Sequence, residues 1–66
     1  MRRNEEIYEV FAARTERMEP LRNVGAVRAT NSREAAVFAH TLYDEWRWRE
    51  MFVVPRSALM HVIRPA

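Results

Sequence analysis

The sequence predicts an α+β domain: a small antiparallel sheet in the order β-β-α-β, with room for a fourth short strand, and one helix packed on one sheet face. Three observations carry this. Residues 6–14 and 21–30 alternate in the two-residue period of strands, a run from 35 to 46 repeats its apolar residues at helical spacing, and a short apolar run at 50–55 closes on a proline. The 66 residues make one domain, 1–66, with no internal repeat or linker.

The first strand is read over 6–14. Ile7, Glu9, Phe11 and Ala13 fall on one side, and Tyr8, Val10 and Ala12 on the other. Residues 15–20 form the connection, and Pro20 belongs at a strand start or edge because it has no N–H for a ladder. The second strand, 21–30, sets Leu21, Gly25, Val27 and Ala29 against Val24 and Ala26, bracketed by Arg22 and Arg28. Gly25, the single glycine, marks a bulge or a close approach of helix to sheet. Asn31 caps the helix, with Glu34 three residues on completing a capping-box pattern. Ala35, Phe38, Ala39, Leu42, Tyr43 and Trp46 then form one stripe. A helix over about 32–47 is roughly 24 Å long, the length of one hairpin strand. The third strand is 50–55. Residues 56–65 give a helical turn and then a strand from Met60 to Arg64. A right-handed crossover from the second strand places the third beside the first, so the strand order is 2-1-3.

A chain this short buries only about 60% of the surface its unfolded form exposes, so its own stability is marginal. It has no cysteine, which excludes disulfides and thiolate metal sites, and two histidines are a poor basis for a structural metal. Oligomerisation is the remaining support. Both sides of the first strand are mostly apolar, yet one helix covers one face only. Leaving the other face in water forgoes about 1.5–3 kcal/mol for each large side chain. An exposed patch of that kind marks a partner surface. The candidate interface residues are Tyr8, Val10, Phe11, Trp46, Trp48 and Phe52. Glu9 argues that its own side is the less buried, but the parity of the strand stays open at this stage. Trp48, between Arg47 and Arg49, has the composition of an interface core and equally that of a residue closing one end of the fold.

Enzymatic constellations are not found. The sequence has no cysteine nucleophile, no glycine-rich phosphate loop and no G-x-S-x-G turn. His40 reads as a surface residue, His61 as surface or partial core, and Ser57 as a turn or cap residue. Met18, Met51 and Met60 read as fillers. No catalytic, cofactor-binding or metal-binding residue is therefore expected. The formal net charge is +2, with eleven arginines balanced against nine carboxylates, which gives little footprint for a polyanion. No apolar stretch is long enough to cross a bilayer, and "MRRNEEIYE" is not a signal peptide, so a cytoplasmic location and no membrane partner are expected.

Five pieces of the chain together resemble a known family: "YEVF" at 8–11, "VGAVRA" at 24–29, "REAAVFA" at 33–39, Tyr43, and "FVV" at 52–54. Their order and spacing are similar to those of the small B subunit of the bacterial phenylacetyl-CoA epoxidase (the PaaB family), part of a multicomponent ring-oxygenating monooxygenase. The resemblance implies a non-catalytic accessory role in aerobic phenylacetate degradation, without a cofactor. It also implies two partners, the catalytic di-iron subunit and its structural counterpart; a homo-oligomer when isolated is expected separately, from the short chain and its uncovered apolar face. The aromatic-rich tail that follows the third strand in that family has no counterpart in residues 56–66. The alternative is a small homo-oligomeric or RNA-binding ββαβ module of ribosomal-protein-like build. The sequence lacks the basic-Gly-aromatic pattern of the RNA-recognition sheet motif, so no nucleic-acid partner is expected.

Overall fold

The computed structural model describes residues 4–15, 18–44 and 47–63. Strand β1 spans Glu6–Arg14, β2 Arg22–Ala29, helix α1 Ser32–Leu42 and β3 Trp48–Pro55, followed by a 3-10 turn at Arg56–Ala58. The sheet is antiparallel throughout, in the order β2-β1-β3, with β1 central. This is the predicted fold class and strand order. The Cα atoms extend only 16 Å in the thinnest direction, enough for two layers: sheet and helix.

Burial resolves the parity of β1. Tyr8, Val10 and Ala12 point under the helix and are buried, while Ile7, Glu9 and Phe11 point away and are half-buried. Opposite them on β3, Met51 and Val53 join the helix side, and Phe52 and Val54 the other. The core is Tyr8, Val10, Val27, Ala29, Ala35 and Ala39, with Val24, Tyr43, Met51 and Val53 packed against it. Burial also raises the Tyr8 phenol above its ordinary pKa, with the nearby Glu6 carboxylate adding to the shift.

Gly25 does both things its position suggested. The β1–β2 register slips between Val10 and Phe11, pairing Val10 with Gly25 and Phe11 with Asn23, so Val24 is the extra, bulged residue. A Cβ on Gly25 would overlap the Tyr43 phenol oxygen and stand 2.7 Å from its Cζ. The side chain of Tyr43, the C-cap of α1, therefore rests directly beside the bulge.

The start of α1 follows from its cap. Asn31 Oδ1 accepts the Glu34 backbone N–H at 2.8 Å, and Glu34 reaches back to accept the Thr30 backbone N–H at 2.8 Å. The end comes earlier than the sequence predicts, at Leu42 instead of about 47. A longer helix would spend the Tyr43 carbonyl on the N–H four residues on. That carbonyl instead accepts the Trp48 indole N–H, while the Arg47 carbonyl accepts the Thr15 N–H at 2.7 Å and so joins the sheet. Strand β3 accordingly begins at Trp48, two residues before the predicted start.

The buried stripe of α1 is narrower than its periodicity implies. Ala35 and Ala39 are buried and Tyr43 is half-buried, but Phe38 and Leu42 are 40% and 63% exposed. Three strands at about 4.8 Å spacing make a platform about 10 Å wide, no wider than a helix. Side chains on the flank of the helix have no sheet beneath them. The expected strand at Met60–Arg64 is also not observed: Met60 to Ile63 have no strand partner, and Arg64 lies outside the described residues.

Candidate functional site: the uncovered sheet face

The face of the sheet away from α1 carries Ile7, Glu9, Phe11 and Ala13 from β1, Asn23, Ala26 and Arg28 from β2, and Glu50, Phe52 and Val54 from β3. Phe11 and Phe52 are directly opposite each other, so two aromatic rings stand side by side near its middle. Phe52 is 48% exposed. Ala13, at one end, is fully buried; Arg49 of β3 reaches toward the β1–β2 connection there, donating to the Glu19 carbonyl at 3.2 Å.

Glu9 would be an obstacle in an apolar face, but its charge is matched. Arg56 of the 3-10 turn donates to its carboxylate at 2.6 Å, and Asn23 Nδ2 donates to the other oxygen at 2.9 Å. The hydrogen bond from Arg56 is the main cause that holds the Glu9 carboxyl below the usual carboxylate range; the Asn23 bond adds to it. Asn23 sits at the bulge, with its amide 3.4 Å from the Val10 and Gly25 carbonyls. Ser57 Oγ adds a longer contact to Glu6 at 3.4 Å. The 3-10 turn is thus tied to the edge of this face by polar contacts. Beyond it the described residues do not seal the face: Met60 and Val62 are 87% and 93% exposed.

Of the six interface residues expected from sequence, Phe11 and Phe52 meet on the uncovered face. Tyr8 and Val10 lie in the core beneath α1, because the parity places them on the covered side. Trp48 is half-buried and closes one end of the core through its bond to Tyr43. Trp46 lies outside the described residues. Sequence reasoning missed Asn23 and Arg56 as parts of this face. Glu9 gave the right signal for the parity, but Arg56 is 47 residues away from it and no local pattern links them.

Among the described residues no three His, Cys, Asp or Glu side chains converge as a metal site, and no helix is long and apolar enough to cross a membrane. His40 and His61 are exposed. No protein-family model, no curated protein and no solved structure matches this chain significantly.

Proposed function

We propose that this protein is a non-catalytic accessory subunit of a multicomponent di-iron monooxygenase, of the kind that epoxidises phenylacetyl-CoA in cytoplasmic phenylacetate degradation. In this reading it bridges the catalytic di-iron subunit and its structural counterpart through the uncovered sheet face, and it self-associates when isolated. The supporting observation is the Phe11–Phe52 pair, set among Ile7, Ala26 and Val54 with the one central carboxylate already neutralised. A partner that covers this face gains the burial of its apolar side chains, and Glu9, already paired with Arg56, is not left as an unpaired buried charge. The ordered sequence pieces between Tyr8 and Val54 supply the family. Co-expression with the di-iron subunit of a phenylacetyl-CoA epoxidase tests the reading. The wild-type chain should co-purify with that subunit, and Phe52→Glu should abolish co-purification while leaving the circular dichroism unchanged. Failure of the wild-type chain to co-purify contradicts it.

One observation favours a second reading. Two aromatic rings side by side on an exposed sheet face, with Arg28 on the neighbouring strand, are also a platform on which RNA bases stack. The pairing of Arg56 with Glu9 takes up one of the cations on that side, which weighs against phosphates. RNA binding that weakens steeply with salt would support this reading in place of the first.

A further inference from the structure

We propose that residues 59–63 form an exchange arm: in a two-fold dimer of the isolated protein, each chain lays this segment across the uncovered sheet face of the other. The inference rests on the self-association part of the reading above and names the segment that does the covering.

The arm is apolar and bare. Met60, Val62 and Ile63 are each at least 87% exposed, and Leu59 is 43% exposed. Single exposed apolar residues are ordinary, but four within five positions make a contiguous apolar strip. Its root is fixed at the rim of the face. Arg56 is paired with Glu9, which points to the uncovered side, and Ser57 Oγ contacts Glu6. Leu59 then leaves the 3-10 turn with extended backbone, φ −87° and ψ 138°. The segment does not fold back on its own sheet: Phe52 is 48% exposed while the arm stands in water.

One molecule thus carries both halves of an apolar contact and closes neither. A second copy completes both at once, because a two-fold axis brings each arm to the other's face. Any other partner would have to supply a separate surface for the arm and another for the face. The arm is long enough. Five extended residues span about 16 Å, more than the roughly 10 Å between stacked sheets. Between the arm's root and the face is a recess of about 340 Å³, lined by Leu59, Met60, His61 and the Glu9–Arg56 pair, where the incoming arm can seat a side chain. Residues 59–63 contain no carboxylate and no arginine, so burying them strands no formal charge of either kind. The area is also sufficient. The arm, with Ile7, Phe11, Phe52 and Val54, offers on the order of 500 Å² of apolar side chain per chain. With the polar share of an ordinary interface added, two copies bury on the order of 1,600 Å², the size of a stable complex.

The test uses the full chain, which has no cysteine, so His61→Cys gives one attachment point for a nitroxide on the arm. The spin-labelled protein and isotope-labelled wild type are mixed in urea and refolded together, and amide intensities of the isotope-labelled chain are read by NMR. We expect the largest loss of intensity at Phe11 and Phe52 and the smallest at Val37 of α1, on the other side of the sheet. Val62→Asp should weaken dimerisation roughly tenfold or more by light scattering over a concentration series. Its side chain is 93% exposed in the single chain, so the variant keeps its fold. A dimer without loss at Phe11 and Phe52, or a Val62→Asp dimer as tight as wild type, overturns the arm while self-association stands. A wild type at the mass of one chain overturns both. Flotation of that single chain with phosphatidylglycerol vesicles, lost in Val62→Asp, would assign the arm to a lipid surface instead. If the loss at Phe11 and Phe52 appears but the wild type does not co-purify with the di-iron subunit, the arm stands and the accessory-subunit reading is wrong.

Discussion

Gly25 sets how closely helix and sheet approach. With no side chain at Gly25, the Tyr43 phenol comes close against β2; a single methyl group would occupy the same space as its hydroxyl. We expect Gly25→Ala to destabilise the fold by about 1–3 kcal/mol, the range of core overpacking. Tyr43→Leu should absorb much of that cost, so a double-mutant cycle by urea unfolding should return a clear coupling energy. Additive effects would mean that the two residues do not meet. The sequence marked Gly25 as a bulge or a close approach, but gave no sign that Tyr43 was the partner, since seventeen residues of strand, turn and helix lie between them. The carboxylate at Glu9 was more informative. It signalled the less buried side of β1, and burial agrees for Ile7, Glu9 and Phe11. Ala13 breaks the pattern, which shows that parity describes the middle of a short strand better than its ends.

At the level of elements, local signals located the first two strands and the start of the helix well, but set the helix end too late, the start of β3 two residues late, and a last strand at 60–64 that is not observed. Alternation placed β1 at the residues it occupies, and the Asn31–Glu34 pair placed the first turn of α1. Periodicity then carried the helix too far, because the Trp48 indole competes for the carbonyl a longer helix would need. Nothing local announces that competition. The Glu9–Arg56 contact is similarly long-range, joining β1 to the 3-10 turn, and it gives that turn a pH dependence. Glu9 is held below its ordinary value of 4.5, so its contribution is fully present above that pH and is lost as pH falls through the lowered value. Partial exposure of the pair limits the effect to about 1 kcal/mol or less. In urea unfolding, Arg56→Gln should therefore be less stable than wild type at neutral pH, and the gap should close on acidification below 4.5. Parallel pH profiles for the two proteins would show that Arg56 does not hold Glu9.

On the scale of the whole molecule, one helix on three strands leaves a face that no described residue covers as a lid. The fold class and strand order were legible because two alternating runs, one capped amphipathic stretch and a third run in that order admit few right-handed arrangements. The docking face was legible only as a choice between two sides of β1. Tyr8 and Val10 belong to the covered side, and among the expected residues that are described, Phe11 and Phe52 are the ones on the uncovered face. Cross-strand register decides such questions, and register lies in pairings between distant residues.

The mass of the isolated chain in solution, measured by light scattering, bears most directly on whether another chain covers this face. We expect the wild type to exceed the 7.9 kDa of a single chain by a whole-number factor, and Phe11→Glu and Phe52→Glu each to return to 7.9 kDa while staying folded. A wild type at 7.9 kDa, with both variants unchanged, would mean that the bare aromatic face is tolerated in water and is no docking surface for its own kind.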